Sequence, residues 1–76
     1  MQTKDELFTS WSELRRQPLA ESHIFSDVAR RASEELTILE SLRAADCTHI
    51  PGESADIDTL IKDRRRLQQE ILDNLS

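Results

Sequence analysis

Residues that interrupt helices occur at only two places in this chain, at Pro18 and at the pair Pro51-Gly52. Proline removes a backbone donor and clashes with the preceding helical turn, and Pro-Gly is a turn signal. Between these points the apolar residues recur at helical spacing. The sequence therefore predicts an all-α fold, with helices over about residues 4–16, 19–46 and 54–75 of a single domain that spans residues 1–76.

The first segment carries one apolar stripe. Leu7, Trp11 and Leu14 recur at i, i+4 and i+7, which is the period of one helix face. Thr3 followed by Glu6 at the third position matches a capping box, so we expect the helix to begin after Thr3. A helix of about three turns is marginal by itself, and it must therefore dock on the rest of the chain.

The second segment has more apolar surface than one neighbouring helix covers. A main stripe is made by Phe25, Val28, Ala29, Ala32, Leu36 and Leu39, and a lateral set beside it by Ile24, Ile38 and Leu42. Ile38 is about 120° from the centre of the main stripe. The first helix is about 20 Å long, so we expect it to fold back over Ile24 and Val28 only. Ile38 and Leu42 then stay uncovered in a single chain.

The third segment follows a heptad pattern, whose a and d positions are Ile57, Leu60, Leu67 and Ile71. We expect Ser54 to cap this helix, because serine is a preferred N-cap residue. The loop from Cys47 to Glu53 is short, which predicts that the second and third helices are antiparallel neighbours. With the turn centred near Ile50, Arg64 lies opposite Leu36.

Arg64 interrupts the apolar seam of this predicted hairpin. A charge at a seam position costs stability and can determine register or oligomeric state, and Glu35 or Glu40 could pair with it. Alternatively, the methylene groups of Arg64 lie on the core while its guanidinium reaches water. In the second case, Arg64→Leu is expected to raise thermal stability. If the variant instead unfolds, the arginine is a required pairing partner.

Pairs of arginines are the other charged feature of the sequence. Arg30-Arg31 and Arg65-Arg66 could contact the phosphates of a nucleic acid. They could equally form a solvated helix face, paired with carboxylates at i, i+4 spacing. The net charge of −5 argues against a general nucleic-acid coat, and no aromatic residue adjoins these arginines to stack on a base. We therefore favour the solvated face.

Few residues of this sequence suggest catalysis or metal binding. Cys47 and His49 are close in sequence and His23 lies elsewhere, whereas a structural zinc site takes four ligands at recognisable spacings. A catalytic cysteine–histidine pair also needs an orienting group and an oxyanion hole. We expect no enzyme activity, no cofactor and no metal, with Cys47 half-buried and His49 in a solvated loop.

Compartment is indicated by cysteine content and hydropathy. A single cysteine without a disulfide framework fits a reducing environment. The sequence contains no apolar run long enough to span a membrane, and its first residues are polar and acidic, unlike a signal peptide. We expect a cytoplasmic protein without membrane contact, although export without a signal would leave the same pattern.

Uncovered apolar surface predicts a partner chain. A domain of 76 residues hides only about 60% of the surface of its unfolded chain, and a second subunit is a common addition. We expect a homodimeric helical bundle whose interface residues are Phe8, Ile24, Val28, Ile38 and Leu42. The predicted function is a non-enzymatic protein–protein interaction module of adaptor, chaperone or inhibitor type. The alternative is a nucleic-acid-associated regulator that uses Arg30, Arg31, Arg65 and Arg66.

Overall fold

The protein is an all-α chain, as predicted. Its structure, a computed structural model, describes residues 3–17 and 25–75. The helices within these residues are α1 (Lys4–Arg16), α2 (Phe25–Ala44) and α3 (Ile57–Leu75). The predicted start of the second helix, at residues 19–24, lies outside the described residues. Helix α2 packs against both α1 and α3, and it is therefore the central helix of the arrangement.

Helices α2 and α3 form the antiparallel hairpin. Arg43, near the end of α2, contacts Asp58 at the start of α3, with 3.2 Å between Nε and Oδ1. Two turns further from the loop, Glu35 of α2 contacts Arg64 of α3, with 3.1 Å between Oε2 and Nη2. Both pairs agree with the register predicted from the sequence.

Helix α1 begins where the capping box predicts. The Thr3 hydroxyl oxygen accepts a hydrogen bond from the Glu6 backbone N–H at 3.2 Å. Asp5 and Glu6 lie in the first turn and Arg15 and Arg16 in the last, which complements the helix dipole at both ends.

Helix α2 ends two residues earlier than predicted, in a Schellman motif. The Cys47 N–H donates to the Leu42 carbonyl oxygen at 3.0 Å, and the Asp46 N–H donates to the Arg43 carbonyl oxygen at 3.0 Å. Asp46 has a positive φ of 62°, the left-handed conformation that this motif requires and that glycine usually supplies. The motif turns Cys47 back toward Leu42, and Cys47 is half-buried against the core.

The predicted Pro-Gly turn is confirmed. The Glu53 N–H donates to the Ile50 carbonyl oxygen at 3.0 Å, and Gly52 has a φ of 90°. Proline at the second position and a left-handed glycine at the third define a type II turn. The turn leaves Ile50 buried in the core and directs Glu53 toward α1.

Helix α3 begins at Ile57, so the prediction that Ser54 caps it is wrong. Asp56 is the cap, because its carboxylate accepts a hydrogen bond from the Thr59 N–H at 2.8 Å. The Ile57 N–H donates to the Thr48 carbonyl oxygen at 2.8 Å, which holds the preceding residues in the loop. Thr59 also holds the pKa of Asp56 below its ordinary value of 3.8, through its hydroxyl and its backbone N–H.

The core lies beside the loop and under α1. Its buried members are Leu7, Trp11, Leu36, Leu39, Leu42, Ile50, Ile57, Leu60 and Ile61. We call residues 36–44 of α2 with 57–64 of α3 the loop-proximal half of the hairpin, and residues 27–35 with 65–74 the distal half. All six members of this cluster that belong to the hairpin lie in the loop-proximal half, and the distal half buries Ala32 and Ile71 outside the cluster.

The expectation that a single chain leaves Leu42 uncovered is wrong. Leu42 is fully buried in the same cluster as Leu7 and Trp11 of α1 and Ile50 of the loop. Helix α1 packs on the lateral side of α2 and the loop adds Ile50 to the core, so the short length of α1 does not leave Leu42 exposed. Ile38 is half-buried against the same cluster.

Candidate interaction site

The distal half of the hairpin leaves a large apolar side chain open. Leu72 is 60% exposed, and among the side chains that the structure describes no other large hydrophobic residue is exposed. It lies about 20° from Ile61 around the axis of α3. Ile61, in the loop-proximal half, is only 2% exposed. The same side of α3 is therefore buried in the loop-proximal half of the hairpin and exposed to solvent in the distal half.

The predicted interface residues that the structure describes lie in different surroundings, and their role at an interface stays a prediction. Phe8 of α1 and Ile38 of α2 are half-buried against the core, and Val28 is half-buried in the distal half. Ile24 lies outside the described residues. Sequence reasoning missed Leu72, although its spacing of 11 residues from Ile61 returns nearly to the same helix face and could have revealed it.

A groove runs between α1 and α2, and its lining contains no residue of α3. We call it the α1–α2 groove. It has a volume of about 380 Å³ and is lined by Ser10, Glu13, Leu14, Gln17, Glu34, Thr37 and Ile38. Leu14 is buried and Ile38 is half-buried, so the floor is apolar, while the remaining lining residues are polar or acidic. Among the described residues, neither Glu13 nor Glu34 takes part in an ion pair.

A buried ion pair connects the two halves of the hairpin. The Glu35 side chain is 4% exposed, and its Oε2 accepts hydrogen bonds from Nε and Nη2 of Arg64 at 3.3 and 3.1 Å. Arg15 of α1, which is 49% exposed, donates to the same oxygen at 3.4 Å. Arg64 is only 16% exposed. The predicted contact with Glu35 is therefore confirmed, while its role in register stays a prediction.

Trp11 joins α1 to this ion pair and to the loop. The Arg64 guanidinium carbon lies 5.8 Å from the centroid of the Trp11 ring, within the range of a cation–π contact. The indole N–H donates to a carboxylate oxygen of Glu53 at 3.1 Å. Trp11 is itself a buried core residue.

All four arginines of the nucleic-acid alternative have partners within the chain. Those partners are Asp27 for Arg30, the Leu14 carbonyl oxygen for Arg31, Glu40 for Arg65, and Asp63 with Glu70 for Arg66. The pairing fits the solvated-face interpretation, because each arginine already faces an acceptor. The nucleic-acid role itself stays a prediction.

Cys47 and His49 lie in the loop between α2 and α3. His49 Nδ1 is 3.1 Å from the hydroxyl of its neighbour Thr48. Across residues 3–17 and 25–75, no group of three or more histidine, cysteine or acidic residues is placed to hold a metal ion. His23 lies outside these residues.

None of the three helices described is long and apolar enough to cross a membrane.

Comparison of the chain with protein family models, curated proteins and solved structures finds no match. Its function must therefore be inferred from its own surfaces.

Proposed function

We propose that this chain is a small non-enzymatic protein–protein interaction module of adaptor, chaperone or inhibitor type, acting in the cytoplasm and self-associating through the distal half of its hairpin. The observation that supports this proposal is that Leu72 is exposed on the same side of α3 on which Ile61 is buried. Burying a leucine side chain contributes about 1.5–3 kcal/mol. A second chain would cover Leu72 as α1 and the loop cover the loop-proximal half.

The surroundings of Leu72 suit contact between two identical chains. Its neighbours one turn earlier on α3 are Gln68 and Gln69, which carry no charge. The centres of protein interfaces are depleted of charged residues. Two chains can therefore join with uncharged glutamines beside Leu72, and Asp73, whose carboxylate accepts a hydrogen bond from the Gln69 side chain at 3.1 Å, would lie at the rim of the contact.

Solution mass across a concentration range tests this proposal. We expect the wild-type mass to rise toward twice that of one chain as concentration increases. Leu72→Gln keeps a good helix former and should weaken self-association about tenfold or more, because the buried leucine is lost.

Lys62→Gln is the matched control, since it places the same residue at an exposed position in the loop-proximal half of α3. It should leave self-association unchanged. A strict monomer at every concentration, or equal effects of the two substitutions, would contradict the proposal.

A further inference from the structure

We infer that the α1–α2 groove binds a basic amphipathic helix of a partner protein. This inference rests on the proposed interaction function, since it names the chemistry of a partner. The groove is separate from the Leu72 surface, because its lining residues come from α1 and α2 while Leu72 lies on α3.

The shape of the α1–α2 groove fits a helix. Helix α1 lines it with Ser10, Glu13, Leu14 and Gln17, at i, i+3, i+4 and i+7. Helix α2 lines it with Glu34, Thr37 and Ile38, at i, i+3 and i+4. Residues at this spacing form a ridge along one helix face, so the groove lies between two ridges. Ser10 and Gln17 are seven positions apart, so at about 1.5 Å per position the groove is about 10 Å long and accommodates about two turns of a third helix.

The floor of the groove is apolar and its rims are acidic. Leu14 and Ile38 come from different helices and would contact one large apolar side chain of the partner. Glu13 lies on the α1 rim and Glu34 on the α2 rim, and both side chains are exposed. The other lining residues are neutral, so no cation lines the groove. The complementary ligand has an apolar residue flanked on both sides by lysine or arginine.

A second copy of this chain suits the groove less well than a basic partner. Each chain has a net charge of −5, and docking two of them here would bring further carboxylates near Glu13 and Glu34. The exposed arginines of α2 and α3 are already paired within the chain. Among the described residues, the exposed cations outside any ion pair are Lys4 and Arg16, twelve positions apart on α1, and Lys62 on α3, so they do not form one basic stripe. Charge complementarity therefore selects a basic helix from another protein.

Binding of designed peptides to the full chain tests the inference. The probe is a fluorescent amphipathic helical peptide with a leucine stripe flanked by lysines, and the control peptide has glutamate at every lysine position. We expect the lysine peptide to bind, with affinity that falls as salt increases, and the glutamate peptide not to bind. Backbone NMR shifts should move at Leu14, Thr37 and Ile38 and not at Leu72.

The double variant Glu13→Gln/Glu34→Gln should weaken binding of the lysine peptide about tenfold at low salt. Glu6→Gln/Glu70→Gln removes the same charge at exposed sites outside the groove and should weaken it much less. Equal binding of the two peptides, equal loss in the two double variants, or shifts centred on Leu72 would overturn the inference.

The outcome is distinguishable from failure of the self-association proposal. Leu72→Gln should leave peptide binding unchanged, because Leu72 does not line the groove. A chain that self-associates through Leu72 but ignores the lysine peptide refutes the groove assignment alone. A monomer that binds the peptide refutes self-association alone.

Discussion

Ile61 and Leu72 occupy nearly the same side of one helix, yet one is 2% exposed and the other 60%. The difference arises outside α3. In the loop-proximal half, Trp11 of α1 and Ile50 of the loop belong to the same buried cluster as Ile61. In the distal half, the structure describes no comparable cover for Leu72. Burial along a helical hairpin is therefore decided by the third element that reaches its flank, and the apolar pattern of the helix by itself does not decide it.

The largest expected effect on stability comes from truncating Ile61, and the same truncation at Leu72 is its comparison. Ile61→Ala removes a fully buried side chain and leaves a cavity, so it should lower the free energy of unfolding by about 4 kcal/mol. Leu72→Ala should change it by less than about 0.5 kcal/mol when measured on the dilute monomer, because the side chain is already in water. Chemical denaturation measures both. Similar losses of stability in the two variants would show that Leu72 is buried in solution, and would contradict the difference between the two halves.

The next effect concerns Arg64, at the junction of the two halves. Glu35 is buried and accepts two hydrogen bonds from Arg64 and one from the more exposed Arg15, so Arg64→Leu leaves it with one cationic partner and should lower the free energy of unfolding by about 2 kcal/mol. If the Arg64 guanidinium instead extended into water, Arg64→Leu would raise thermal stability, which is the opposite result. Thermal unfolding of the single variant distinguishes the two, since a raised melting temperature would mean that the ion pair is not maintained.

The matched control for Arg64→Leu removes both charges together. Arg64→Leu/Glu35→Leu leaves no buried carboxylate without its partner, and apolar replacement of a buried pair is often neutral or stabilising. Stability of the double variant should therefore return to about the wild-type level. Additive losses from the two substitutions would show that the charges are not coupled.

The smallest effect is a pH dependence at the start of α3, in the loop-proximal half. Because Thr59 lowers the folded-state pKa of Asp56 below 3.8, the ionised carboxylate stabilises the fold. This contribution is fully present above the unfolded-state pKa and is lost as the pH falls through the folded-state pKa. Asp56→Asn keeps a capping side chain without titrating. The stability advantage of the wild type over Asp56→Asn should therefore shrink from pH 7 to pH 3, and a constant difference would contradict this.

The helices and their pairing could be predicted from the sequence because both depend on local patterns. The capping box at Thr3 and the Pro51-Gly52 turn are short-range signals, and the register follows from the turn. The cap of α3 could not be resolved in this way, since Ser54 and Asp56 are both good caps. The tertiary hydrogen bond from the Ile57 N–H to the Thr48 carbonyl oxygen selects Asp56.

The candidate surfaces could be predicted only in part. Helical periodicity assigns Ile38 and Leu42 to a lateral face, but it does not say which flank α1 occupies. That choice buries Leu42 and leaves Ile38 at the edge of the α1–α2 groove. The placement of Ile50 in the core was equally inaccessible, because an apolar residue in a short loop carries no periodic signal.

Trp11 gives this fold a built-in optical probe. It is the chain's single tryptophan and the chain has no tyrosine, so its ultraviolet fluorescence comes almost entirely from one indole ring. That ring projects from α1 into the core, where its N–H donates to the carboxylate of Glu53 in the loop and its face lies near the guanidinium of Arg64. Its emission therefore reports the docking of α1, whereas far-ultraviolet circular dichroism reports the helices together. Following both signals through one unfolding transition separates the detachment of α1 from the opening of the hairpin.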